Sequence, residues 1–121
     1  MTVILLVEDE PDILETLEMV LKMEGYEVVT APNGKIGLER LKEQMPDLIV
    51  SDIMMPVLTG LEMLREIRSN PKYKEIPVLL MSAGGLTVKK EDYQWTEFLS
   101  KPFCLDHFLE VVARNSRKAA A

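Results

Sequence analysis

Three unbroken apolar runs, Val3-Ile4-Leu5-Leu6-Val7, Leu48-Ile49-Val50 and Val78-Leu79-Leu80-Met81, limit what this chain can fold into more than any other feature. None alternates with polar residues, so a strand made from any of them is buried on both faces, the habit of central parallel strands. Two weaker strand candidates, Glu27-Val28-Val29-Thr30-Ala31 and Thr96-Glu97-Phe98-Leu99, carry polar residues and suit sheet edges. At 121 residues the chain is large enough to bury one core without staples and too short for two.

Helical periods fill the gaps. Ile13, Leu17, Val20 and Leu21 follow i, i+4, i+7, i+8, and Leu38, Leu41 and Met45 follow i, i+3, i+7. Leu61, Leu64 and Ile67 make a looser stripe, and Leu105, Phe108, Leu109 and Val112 fit i, i+3, i+4, i+7 throughout. Asn33 is placed to cap the second helix, and Thr59-Gly60-Leu61-Glu62 has capping-box spacing for the third. Gly25, just past the first helix, suits a left-handed C-cap. Strand and helix thus alternate five times, which means a parallel sheet with helices on both faces. With the apolar strands central and the polar ones at the edges, the order is 2-1-3-4-5, a flavodoxin-like (βα)5 doubly wound α/β fold. Its topological switch point lies between strands 1 and 3, and ligands bind there, outside the carboxyl ends of the strands.

Composition narrows the partners. A net charge of −6 with no Lys/Arg-rich segment argues against direct nucleic-acid binding. No apolar run approaches the ~20 residues of a membrane helix, and Met1-Thr2-Val3-Ile4 lacks the basic start of a signal peptide. A single cysteine, Cys104, forbids an internal disulfide and a thiolate metal cluster, and fits a cytoplasmic address.

The carboxyl edge collects chemistry. Strand 1 runs into Glu8-Asp9-Glu10, strand 3 into Ser51-Asp52, strand 4 into Ser82-Ala83 and strand 5 into Ser100-Lys101-Pro102. Singly these are bland: an acidic start to a helix, a turn aspartate, a loop serine, a surface lysine. Together they crowd three carboxylates at one edge, which calls for a compensating cation, and all-oxygen ligands suit Mg²⁺. A carboxylate beside Mg²⁺ and a lysine can attack a phosphoryl group to give an aspartyl phosphate. There is no Gly-rich phosphate loop, and the one histidine, His107, reads as a surface residue of the last helix.

These motifs resemble the receiver domain of two-component response regulators. Leu6-Val7-Glu8-Asp9-Glu10, Asp52-Ile53-Met54-Met55-Pro56 with Gly60 beyond, Ser82-Ala83 and Lys101-Pro102-Phe103 carry the resemblance, which runs from Val3 to about Ser116. It implies a single receiver domain over residues 1–121, with 117–121 as the start of a linker or a tail. It implies that Asp52 accepts a phosphoryl group from a sensor histidine kinase or phosphotransfer protein. Asp9, Asp52 and the Met54 backbone carbonyl would ligate Mg²⁺, and Glu8 would hold a metal-bound water. Lys101 would pair with Asp52 and then with a phosphoryl oxygen, and Ser82 would hydrogen-bond another. Phe98 matches the aromatic that turns inward when Ser82 moves, and the Lys101-Pro102 bond is cis in such proteins. The face of helix 4, strand 5 and helix 5 would then shift to alter binding of a downstream effector or a phosphorylation-dependent dimer.

The chain departs from that pattern in three places. The stretch from Gly84 to Thr96 is short and lacks a Gly-Ala turn, which confines helix 4 to about Val88–Gln94. Cys104 stands where an acidic capping box usually starts the last helix, and cysteine caps poorly. Met54 occupies a position where a polar side chain often steers hydrolysis. The same Met54 argues against a second class, a Mg²⁺-dependent phosphohydrolase working through an aspartyl phosphate, which needs a carboxylate there as acid/base. The joint presence of Glu8, Asp9, Asp52, Ser82 and Lys101 argues against a third, a receiver-like scaffold that is never phosphorylated.

Overall fold

The structure, a computed structural model, describes residues 2–84 and 89–120, with 117–120 described by their backbone alone. Five strands, β1 (Val3–Val7), β2 (Glu27–Ala31), β3 (Leu48–Asp52), β4 (Val78–Ser82) and β5 (Glu97–Ser100), form one parallel sheet in the order 2-1-3-4-5. Between and after them run α1 (Pro11–Met23), α2 (Gly34–Glu43), α3 (Gly60–Ser69), α4 (Lys90–Tyr93) and α5 (Leu105–Ala120). The strand order is the one expected from burial. Every residue of β1, β3 and β4 is buried, whereas β2 and β5 are only partly so.

Successive strand residues point to opposite faces, and the core divides accordingly. Leu5, Val7, Ile49 and Leu80 pack with Leu41, Met63, Leu64 and Ile67 on the face covered by α2 and α3. Ile4, Leu6, Val50, Leu79 and Met81 pack with Leu17, Leu21, Phe108 and Val112 on the face covered by α1 and α5. β3 and β4 each extend past their apolar run to end on Asp52 and Ser82. Both functional candidates are therefore held by the sheet ladder rather than by a loop. Lys101 follows β5 directly, and its N–H donates to the Ser82 carbonyl at 2.8 Å.

The caps form as expected. Asn33 Oδ1 accepts from the Ile36 N–H at 2.9 Å, Thr59 and Glu62 close a reciprocal capping box, and Gly25 has φ +92°. The α2 stripe forms only in part, with Leu41 buried and Leu38 packed against the core. Met45 lies beyond the helix and is 45 % exposed, and the buried face is Gly34, Gly37 and Leu41. A Cβ on Gly37 would approach Met63 Sδ to 3.0 Å and Val7 Cγ2 to 3.2 Å, so glycine here sets how closely the helix packs. In α5 the stripe holds at Phe108 and Val112, but Leu105 is 39 % exposed and Val111 takes a core position instead.

Helix 4 is shorter than expected: α4 covers only Lys90–Tyr93, Gln94 follows in the left-handed region, and Val88 lies outside the described residues. One turn with no buried residue cannot hold itself. Two arginines of α3 hold it. Arg65 Nη2 donates to Tyr93 Oη at 2.9 Å and its guanidinium lies 4.8 Å from the centre of the same ring. Arg68 Nε donates to the Gln94 carbonyl at 2.8 Å, while its Nη1 reaches the carbonyls of Ile76 at 2.7 Å and Lys74 at 3.1 Å. At the other edge, Arg114 of α5 forms a bidentate pair with Glu97 of β5 at 2.9 and 2.7 Å.

Candidate functional site

β1 delivers Glu8 and Asp9 immediately past its last residue, and β3 delivers Asp52 as its last. One carboxylate oxygen from each of the three lies within 4.8 Å of the others. Glu8 is fully buried: Oε1 accepts from Lys101 Nζ at 3.0 Å and Oε2 from the Glu10 N–H at 3.3 Å. Asp52 Oδ1 accepts from the Ile53 N–H at 2.8 Å, and Oδ2 from Lys101 Nζ at 3.2 Å. Lys101 is thus shared between two carboxylates and is itself mostly buried. Asp9 differs from both, because its Oδ1 is buried with no hydrogen-bond partner.

The charges shape one another. Burial pushes the Glu8 carboxyl up to about 7, and the charge of Asp52 adds to this against the opposing Lys101 and Glu10 hydrogen bonds. Burial would lower Lys101, but its contacts with Glu8 and Asp52 outweigh that and hold the ammonium above its ordinary range. Three carboxylates with one ammonium between them leave the cluster short of positive charge.

The other expected residues fall around this centre. Ser82 is buried at the end of β4, its Oγ accepting from the Gly84 N–H at 3.2 Å. Phe98 is half-buried in β5 and packs against the α2–α3 side of the core beside Tyr93 and Trp95. The Lys101-Pro102 peptide is cis, as expected. Met54 is 71 % exposed at the rim. Cys104 and His107 are exposed. Pattern reading missed Arg65 and Arg68, which directly follow the buried Leu64 and Ile67 in α3 and look like solvated charges. Only the partner segment, distant in sequence, reveals their task.

The donor set fits a hard divalent cation. All ligand atoms are oxygens, the net charge is negative, and the unpartnered Asp9 Oδ1 faces a desolvation cost that an ion would remove. No helix among the described residues is long and apolar enough to cross a membrane.

Comparisons with known proteins agree with the geometry. Residues 4–113 match the family model for the response regulator receiver domain. The chain is 36 % identical over 116 residues to the response regulator Rre1 of Synechocystis, covering 93 % of this chain and 50 % of Rre1. The chain therefore spans about half the length of curated relatives such as this one. The receiver domain of a signal transduction histidine kinase from Syntrophus aciditrophicus superimposes with a TM-score of 0.91 at 29 % identity, covering 98 % of this chain and 92 % of that one. The response regulator TrrA of Thermotoga maritima, solved in complex with Mg²⁺-BeF, gives a TM-score of 0.85 at 36 % identity, covering 95 % and 99 %. With the sheet order, the acidic cluster and the shared lysine in place, this chain belongs to the receiver domain family of two-component response regulators.

Proposed function

We propose that this chain is a phosphorylation switch in which Asp52 is the phosphoacceptor. The observation that carries the reading is the pairing of Asp52 Oδ2 with Lys101 Nζ at 3.2 Å beside two further carboxylates. The lysine holds the Asp52 carboxylate by a hydrogen bond, and it lies where a phosphoryl oxygen needs a counter-charge. An Asp52 oxygen attacks the phosphorus of a phosphohistidine on a sensor kinase or phosphotransfer partner. The P–N bond breaks, its electron pair returns to the imidazole, and the imidazole leaves. Lys101 then moves its hydrogen bond from Asp52 to a phosphoryl oxygen, and the Ser82 hydroxyl donates to another. Asp9, Asp52 and the Met54 carbonyl would hold Mg²⁺, with Glu8 behind them; when bound, the ion supplies neutralising charge for the phosphoryl oxygens.

A hollow of about 540 Å³ between α1 and the residues after β5, bordered by Ile13, Leu17, Phe103 and Lys101, supports docking of the donor next to the acceptor. Phe98, on the strand that leads into Lys101, would couple the site to the face of α4, β5 and α5. That face would engage an effector or a second copy of the domain. In this reading residues 1–121 form one receiver domain working in the cytoplasm, with 117–121 leading out of it. The chain is a switch rather than a turnover enzyme: Met54 offers a hydrolase no acid/base group, and a scaffold has no use for Lys101 between Glu8 and Asp52.

Acetyl phosphate with Mg²⁺ tests this. Intact-mass measurement should show one added phosphoryl group in the wild type and none in Asp52→Asn. Equal modification of the variant would move the acceptor elsewhere, continuous consumption of the donor would favour a hydrolase, and no adduct would favour a scaffold.

A further inference from the structure

Val57, in the loop that joins Asp52 to α3, has φ +70°. A β-branched side chain tolerates that left-handed region poorly. The Leu58 N–H donates to the Pro56 carbonyl at 2.8 Å, so Val57 is the middle residue of a three-residue turn with positive φ, a rare and strained form. Packing does not hold it there, because the side chain is 74 % exposed.

The ends of the loop hold it instead. At the base, the Gly60 N–H donates to the Ile53 carbonyl at 2.9 Å, and a Cβ on Gly60 would overlap the Asp52 carbonyl oxygen. On the far side, the Gly34 N–H of α2 donates to the Leu58 carbonyl at 3.3 Å, and a Cβ on Gly34 would come within 2.7 Å of that oxygen. Met55 is sunk in the core between these two clamps. A chain pinned at Ile53, Met55, Leu58 and Gly60 must reverse within a few residues. Pro56 is confined to φ near about −65°, which leaves the reversal to Val57. Such strain persists only where the surroundings over-determine it, and it gathers at functional sites.

We propose that Val57 is a positioning residue for the cation site: its left-handed turn, enforced by the two glycine clamps, sets the Met54 backbone beside Asp52. The inference rests on the reading that Mg²⁺ is held by Asp9, Asp52 and the Met54 carbonyl. It places the control of cation affinity partly in a residue that touches neither cation nor phosphoryl group.

Two variants of the full chain separate backbone from side chain. Val57→Gly and Val57→Pro both remove the exposed methyls, but glycine accepts positive φ freely and proline forbids it. Mg²⁺ titration by calorimetry and urea unfolding in EDTA are the readouts. Val57→Gly should unfold at a higher urea midpoint than the wild type and bind Mg²⁺ within about twofold of it, while Val57→Pro binds roughly tenfold more weakly, the scale seen when a ligand's support is lost. A Val57→Pro protein that binds Mg²⁺ as tightly as the wild type overturns the positioning role. A Val57→Gly midpoint at or below the wild type overturns the strain, and this arm decides the matter if the proline variant does not fold. A wild type that binds no Mg²⁺ overturns the reading of the site as well, an outcome distinct from either of these.

Discussion

The Lys101 ammonium donates to Glu8 Oε1 at 3.0 Å, and this pair joins the end of β1 to the end of β5 across the mouth of the sheet. Glu8 has no exposure to solvent, so its carboxylate depends on Lys101 and the Glu10 amide for stabilisation that water would otherwise give.

That dependence makes metal-free stability sensitive to pH. The Glu8 carboxyl is raised from 4.5 to about 7 in the folded chain, so the native state binds more protons than the unfolded state between those values. Its contribution is fully present below about 4.5 and is lost as pH rises through about 7. Urea titrations in EDTA should therefore show stability falling across this window by an amount on the order of 3 kcal/mol at most. Glu8→Gln should flatten the slope, and an equally steep slope in that variant would assign it to another group.

Asp9→Asn should stabilise the metal-free chain and weaken Mg²⁺ binding. The buried, unpartnered Asp9 Oδ1 lies in a cluster of three carboxylates, and an amide removes one of the repelling charges. A gain of about 1 kcal/mol is expected in EDTA. A lower melting temperature for the metal-free variant would show that the repulsion is already relieved.

Arg68→Lys should loosen the segment after α4. One guanidinium serves the carbonyls of Gln94, Lys74 and Ile76, and a lysine ammonium cannot reproduce the fork. The expected loss is about 1–2 kcal/mol. Trp95, the only tryptophan, directly follows Gln94 and should report the change as a shift in emission. Unchanged emission and urea midpoint together would mean that α4 is held by Tyr93 alone.

Cys104→Asp should stabilise α5. Cys104 is exposed, which excludes a core role, and its carbonyl accepts from the Phe108 N–H at 3.1 Å at the start of the helix. A carboxylate there would accept a free amide and oppose the helix dipole's positive end, worth about 1 kcal/mol by urea titration. No gain would show that those amides are already well solvated.

Self-dephosphorylation should be slow, and Met54→Asn should speed it. Loss of the phosphoryl group needs a water in line with phosphorus, and orienting that water is a large share of the catalysis. Met54 at the rim has a thioether that orients water weakly, and Gly84 has no side chain to help. Decay of the phosphoprotein after donor removal, compared between the two proteins, checks this; equal rates would clear Met54 of any role.

The strands and their order were legible in the amino-acid sequence. Central parallel strands must be apolar on both faces, so β1, β3 and β4 announce themselves as unbroken runs, and Asn33 and Thr59 mark helix starts through local hydrogen bonds that need no tertiary partner. What resisted pattern reading was contact made at a distance. Gly34 and Gly37 join Leu41 in the buried face of α2 because close approach demands the absence of a side chain, a signal that hydrophobic periodicity does not count, whereas Met45 keeps the period and lies beyond the helix end. Leu105 completes an ideal helical period and is still exposed, while Val111, outside that period, is buried.

Energies at the site belong to the same class. The residue types Glu8, Asp9, Asp52, Ser82 and Lys101 imply a chemistry by themselves, but burial is a property of the assembled fold. Only the closed sheet removes Glu8 from water, shares Lys101 between two carboxylates and leaves one oxygen of Asp9 without a partner. Likewise nothing in Pro56-Val57-Leu58 alone requires a left-handed valine; the pins at Ile53 and Gly34, set by β3 and α2, impose it. The sequence by itself determined which groups meet, because alternation and local capping are read along the chain. The tertiary structure decided their charge states, their strain and their partners, because those depend on solvent exclusion and on segments far apart in the chain.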